Sequence, residues 1–117
     1  MYVKHEIGKI GEALASKYLQ DNGYKIIERN FKCRQGEIDI ITEYKEELIF
    51  IEVKTRTNLK YGKPIEAVNQ IKEKHIKKAT SYYLYKNNKE NERIRIDVIE
   101  VYYLKNKYRI NHIKQII

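Results

Sequence analysis

Two short stretches place acidic and basic side chains at strand spacing: Gly36-Glu37-Ile38-Asp39-Ile40-Ile41 and Ile49-Phe50-Ile51-Glu52-Val53-Lys54. Side chains alternate faces along a strand, so Glu37 and Asp39 share one face of the first, and Phe50, Glu52 and Lys54 share one face of the second. The second is apolar on both faces up to Phe50, the mark of a buried central strand, and Glu52 and Lys54 emerge at its end. A carboxylate there loses hydration and needs a partner: Lys54, a buried arginine or a bound cation. Asp39, on the adjacent strand, reaches the same pocket. Two neighbouring carboxylates repel, and a divalent ion relieves the repulsion. Oxygen ligands from Asp39 and Glu52, with water and the Val53 carbonyl, suit Mg²⁺ (or Mn²⁺). Lys54 then sits beside the ion and an attacking water, a layout that fits metal-assisted hydrolysis of a phosphodiester. The competing reading is a solvated face of alternating charges, common on hairpins. The apolar run before Glu52, the isoleucines flanking Asp39 and the basic segment that follows count against it.

Those residues must be held by the elements around them. Apolar residues from Ile7 to Leu19 recur at helical spacing, predicting a helix over Ile7–Asn22 with Gly23 as its cap. Gly8 and Gly11 weaken the first turns of that helix and mark either close approach of another backbone or simple fraying near the terminus. Strands are expected at Tyr24–Asn30, at Glu37–Glu43 with clean alternation, and at Leu48–Lys54, the last two joined by a polar turn at Tyr44–Glu47. A loop from Thr55 to Lys63 holds Arg56, Lys60, Tyr61 and Lys63. Pro64 opens a long helix to about Lys86, with an apolar stripe of Val68, Ile71, Ile76, Ala79, Tyr82 and Tyr83. Arg93–Leu104 and Tyr108–Ile113 read as strands. The order αβββαββ predicts an α/β fold, a mixed central sheet flanked by helices, in one domain over residues 1–117.

At 117 residues and 42% apolar content the chain can bury one core. Its net charge of +8 is one-sided: residues 1–58 carry ten basic and ten acidic side chains, residues 59–117 fourteen and six. Such a field attracts phosphate backbones or anionic membranes. Eighteen lysines against six arginines, with abundant Ile, Asn and Tyr, also fit a codon bias, which discounts the charge. No apolar run approaches the roughly 20 residues of a membrane span, and the N-terminus lacks a signal-peptide core. A lone Cys33 excludes an internal disulfide and a multi-cysteine zinc site. A cytoplasmic protein with no membrane partner is the expectation.

Asp39 followed by Glu52-Val53-Lys54 resembles the PD-(D/E)-x-K nuclease superfamily, the restriction-endonuclease-like fold. The chain is more closely similar to the small bacterial YraN-like proteins, through Gly8-x-x-Gly11-Glu12, Gly23-Tyr24, Gly36-Glu37-Ile38-Asp39, Phe50-Ile51-Glu52-Val53-Lys54-x-Arg56, Tyr61-Gly62, Ala67-Val68, Lys72 and Arg95-Ile96-Asp97-Val98. Archaeal Holliday-junction resolvases are more distantly similar. The superfamily's Pro-Asp is Ile38-Asp39 here, so the bare motif is matched only in part. The resemblance implies a site of Glu12, Asp39, Glu52 and Lys54. Asp39 and Glu52 would be the main metal ligands, and Glu12 would bind directly or through water. A general base needs a lowered pKa, and flanking carboxylates push a lysine the other way, so Lys54 is expected to stabilise charge on the phosphate. The implied activity is a Mg²⁺-dependent endonuclease acting on DNA, branched or damaged. The likeness to resolvases would imply a homodimer, which no motif specifies.

Arg56, Lys60, Lys63 and Lys72 are the nucleic-acid contacts expected beside that site. For Lys72 the commoner behaviour is to snorkel to solvent, and Arg56 could form a salt bridge with Asp97. Asp97 reads as structural rather than catalytic, and His75 as a core or edge residue rather than a ligand. The rivals to an enzyme are a nucleic-acid-binding module that no longer cuts and a structural partner in a DNA-processing complex.

Overall fold

The computed structural model describes residues 4–57 and 70–116, with only the backbone for 4–5 and 70–74. Helix α1 spans Lys4–Asp21 and helix α2 Gln70–Lys86. The strands are β1 Lys25–Cys33, β2 Gly36–Tyr44, β3 Glu47–Arg56, β4 Ile94–Leu104 and β5 Lys107–Ile113. They form one mixed sheet in the order β1-β2-β3-β4-β5. Only β3 and β4 run parallel, and α2 lies between them in the chain, as a crossover requires. The expected α/β architecture is therefore observed. Pro64, Lys60, Lys63, Tyr61 and Val68 fall outside the described residues, as do the side chains of Ile71 and Lys72.

Local chemistry explains the boundaries. The β2–β3 and β4–β5 turns use Lys45-Glu46 and Lys105-Asn106, all four at positive φ, the two-residue turn that matches strand twist. Helix α1 ends with Gly23 at φ 88, the Gly23 N–H donating to the Gln20 carbonyl and the Tyr24 N–H to the Leu19 carbonyl. Helix α2 ends the same way on Asn88 (φ 54), with Lys89 N–H donating to the Leu84 carbonyl at 2.8 Å.

Each helix covers one face of the sheet. Ala15 and Leu19 of α1 pack with Ile40, Ile49, Ile51, Ile99 and Val101. Ile76, Ala79, Tyr83 and Leu84 of α2 pack with Phe31, Ile38, Ile41, Leu48, Phe50 and Ile96. Tyr82, placed on this stripe by the sequence, is instead 38% exposed at its edge. Gly11 marks a close approach: a Cβ there would overlap the Thr55 side chain and lie 2.9 Å from its Cβ, whereas Gly8 faces nothing within 4 Å. The missing side chain at Gly11 thus lets α1 settle onto the end of β3, which brings the next residue, Glu12, toward Glu52.

The clean alternation expected along β2 does not hold. Ile38 joins the core under α2, yet Ile40, two residues on, joins the core under α1. The face changes at Asp39. On β1 the partners are Phe31 for Ile38 and Arg29 for Ile40, and the intervening Asn30 has φ 54. Asparagine tolerates this left-handed conformation, which twists both strands locally. A register shift between Ile26 and Glu28 adds a second irregularity to β1.

Candidate active site

The β2–β3 ladder closes from Tyr44↔Glu47 as far as Ile40↔Ile51 and then stops. Beyond that point β3 continues, paired only with β4, through Arg56↔Tyr102. Asp39 and Glu52 are the next residues on the two parting strands. The Val53 N–H, which lacks a backbone partner on β2, donates to Asp39 Oδ2 at 2.8 Å. The Asp39 carboxylate thus replaces a ladder bond at the fork. Because the N–H and C=O of a strand residue point the same way, the Val53 carbonyl faces this opening too.

Glu52 is 6% exposed, and Lys54 Nζ lies 3.2 Å from its Oε1. Burial is the largest influence on Asp39. With the Glu52 charge it lifts the carboxyl from 3.8 to about 7, against the Val53 hydrogen bond, and the charges of Glu12 and Glu37 add to the rise. Burial likewise raises Glu12, opposed by the Arg29 charge and a side-chain hydrogen bond from Asn30, while Glu37 and Glu52 add to the rise. Four carboxylates from α1, β2 and β3 (Glu12, Glu37, Asp39 and Glu52) therefore share one field, with Arg29 opposing the rise at Glu12 and Lys54 beside Glu52. Glu37, itself exposed, takes part through that field.

The donor set is all oxygen, which suits Mg²⁺ or Mn²⁺ and not the softer metals. Among the described residues no three His, Cys, Asp or Glu side chains are arranged to hold one ion. Glu12 therefore does not close a direct triad with Asp39 and Glu52. Two carboxylates, a backbone carbonyl and water remain, a set Mg²⁺ commonly accepts.

Arg56 does not pair with Asp97. Its Nε lies 3.4 Å from Glu100 Oε2, and Glu100, fully buried, also accepts from the Tyr102 hydroxyl at 3.0 Å. Glu100 went unnoticed in the sequence, though one glutamate inside the apolar run Asp97-Val98-Ile99-Glu100-Val101 was a signal of a buried, partnered charge. Asp97 lies in a separate network. Arg95 Nε donates to Oδ1 and its NH2 group to Oδ2, both at 2.9 Å. His112 Nε2 sits 2.7 Å from Oδ2, and the Gln115 N–H donates to Oδ1 at 2.9 Å. Burial opposes the Asp97 charge, but the His112, Arg95 and Gln115 hydrogen bonds outweigh it and hold the carboxyl below its usual value. The structural role expected for Asp97 fits this network. His75 is exposed, its backbone against Gly36.

A family model described as "Uncharacterised protein family UPF0102" matches residues 11–101. The chain belongs to this family. A UPF0102 protein of Clostridioides difficile is 51% identical over 108 residues, covering 92% of this chain and 93% of that one. A UPF0102 protein of Caldanaerobacter subterraneus is 44% identical over 113 residues, with 94% and 93% coverage. Among solved structures, one described as "Crystal structure of SSO0001" is similar at a TM-score of 0.35 and 21% identity. This chain is covered to 93% but spans half of that one, and nothing rests on the likeness. The matched UPF0102 region contains Glu12, Asp39, Glu52 and Lys54 and ends before β5. No helix among the described residues is long and apolar enough to cross a membrane.

Proposed function

We propose that this UPF0102 protein is a Mg²⁺-dependent nuclease that hydrolyses phosphodiester bonds in DNA, with branched or damaged DNA as its substrate. The reading is carried by Asp39 and Glu52 at the fork between β2 and β3, where burial first and the Glu52 charge second lift Asp39 to about 7. Asp39 and Glu52 would hold the ion, with the Val53 carbonyl beside them and Glu12 acting through water. The ion, when bound, supplies Lewis-acid polarisation of the phosphate and a lower pKa for water. Lys54 follows Glu52 on the same face, and its ammonium would stabilise negative charge on the phosphate as attack proceeds. The Val53 N–H fixes the orientation of Asp39, so little reorganisation is needed when ligand arrives. Arg56, steered by Glu100, would meet an adjacent phosphate.

A screen of linear, flapped and four-way DNA with Mn²⁺ or Mg²⁺ tests this. Wild-type protein is expected to cut at least one substrate, and Glu52→Ala to slow cleavage by at least about 10²–10³-fold. Cleavage that survives Glu52→Ala unchanged would come from a contaminant and defeat the proposal. DNA binding without any cleavage would favour a non-catalytic module.

A further inference from the structure

The face that carries Glu52, Lys54 and Arg56 does not end at β3. Pairing places Arg56 beside Tyr102 on β4, and Tyr102 beside Arg109 on β5. Directly paired residues point to the same side of a sheet, so these three form one row across three strands. The Arg109 guanidinium lies over the Tyr102 ring, 4.9 Å from its centroid. The Tyr102 hydroxyl donates to Glu100, which also holds Arg56. One step farther toward the turn, Leu104 pairs with Lys107, and Lys105 occupies the turn itself. Tyr102, Leu104, Lys105, Lys107, Tyr108 and Arg109 line an open groove of about 360 Å³.

The charge along this row has one sign. No acidic residue follows Glu100, whereas Lys105, Lys107, Arg109 and Lys114 do. Of the described carboxylates on this face, Glu100 is buried and answered by Arg56 and Tyr102, and Glu52, farther back along β3, lies beside Lys54. Lys105, Lys107 and Arg109 are exposed, and so is Leu104 (50%). Cations beside the exposed Leu104 and the partly exposed Tyr102 ring suit a polyanionic strand whose phosphates meet the cations and whose bases rest on the apolar surfaces.

We infer that the row Arg56–Tyr102–Arg109, continued by Lys107 and Lys105, is a track that carries one DNA strand away from the fork at Asp39 and Glu52. The inference rests on the nuclease reading for the identity of its ligand and extends it to a surface outside the site. Two strand spacings separate Arg56 from Arg109, about 10 Å. At roughly 3.4 Å per nucleotide along a strand, that distance spans about three nucleotides. The Glu100 contacts set where Arg56 and Tyr102 stand, so Glu100 is a positioning residue for the track. The track lies at the end of the sheet that also holds the fork, and the Lys45-Glu46 turn lies at the other end.

The test measures binding of a fluorescent single-stranded oligonucleotide and a flapped DNA in EDTA, so that cleavage plays no part. Lys107→Glu/Arg109→Glu is expected to weaken binding about tenfold or more and to flatten the salt dependence of log K by about 1 or more, since each lost phosphate contact in a single strand removes about 0.7. Lys25→Glu/Lys45→Glu makes the same charge change at the far end of the sheet and is expected to cost under about threefold. Arg109→Lys, paired with wild-type Lys107, should recover most of the affinity. Equal loss from both charge-swapped pairs, or no loss from the first, would overturn the track. Failure of the nuclease reading shows up separately, as the absence of Glu52-dependent cleavage with Mn²⁺, whatever the binding in EDTA.

Discussion

Asp39→Asn is expected to make the metal-free protein more stable at pH 8 while removing its response to divalent metal. The sign follows from the folded carboxyl lying near 7 against an ordinary 3.8. Between those values the folded state holds a proton that the unfolded state has released, so stability falls as pH rises from about 4 to about 7. Each unit of that gap is worth up to about 1.4 kcal/mol. Asparagine keeps the acceptor for the Val53 N–H and carries no charge, so it escapes the penalty. A gain on the order of 2–3 kcal/mol at pH 8 is expected, shrinking to nothing near pH 4. Denaturant titrations in EDTA at both pH values measure it. In wild-type protein, Mn²⁺ at a hundred times its Kd should add about 2.7 kcal/mol, and in Asp39→Asn essentially none. A variant less stable than wild type at pH 8, or one that still responds to Mn²⁺, would count against the site.

The second large effect lies outside the site. Asp97→Ala should destabilise the protein by about 3–5 kcal/mol, because Arg95 and His112 would be left largely buried without their carboxylate. Arg95 also donates to the Tyr24 hydroxyl at 2.9 Å, and the Tyr18 hydroxyl lies 2.8 Å from His112 Nδ1. The carboxylate therefore ties β4, β5 and the chain after α1 together, and through Tyr18 it anchors α1, the helix that carries Glu12. Against a typical total of 5–15 kcal/mol, such a loss leaves the variant partly unfolded at 37 °C. Asp97→Asn, which retains an acceptor of the same size, should cost less. The lowered carboxyl fixes the pH sign: the contribution is complete above the ordinary carboxylate range and disappears as pH falls through the folded value. Chemical denaturation at pH 7 reads both variants, and an Asp97→Ala loss below about 1 kcal/mol would refute the assignment.

The strands and turns were legible because period-two patterning and short polar turns are local signals. The boundaries moved by one to three residues. β1 runs on to Cys33 because Phe31 is buried under α2, a tertiary contact that the polar sequence around it hides. That Asp39 lies near the end of the Glu52-bearing strand was legible from their positions on adjacent strands. The means by which it is achieved was not. Strict alternation puts Glu37 and Asp39 on one face, whereas the structure changes face at Asp39, opposite a left-handed Asn30. An asparagine within a strand was the only local hint. The cross-strand partners of Arg56 depend on the β3–β4 register, which a single sequence leaves undetermined, so Glu100 and Arg109 stayed hidden. For Gly8 and Gly11 the sequence left backbone approach and fraying open; the close neighbour is the Thr55 side chain, at Gly11 and not at Gly8.

The central claim, that Asp39 and Glu52 hold one divalent ion at the fork of β2 and β3, is tested most directly by anomalous diffraction from crystals grown with Mn²⁺. The account predicts a single strong peak about 2.0–2.3 Å from an oxygen of each carboxylate, with Lys54 displaced from Glu52 or retained beside it. Crystals with Mn²⁺ at millimolar concentration and no peak between Asp39 and Glu52, their Lys54 and Val53 contacts unchanged, would contradict it.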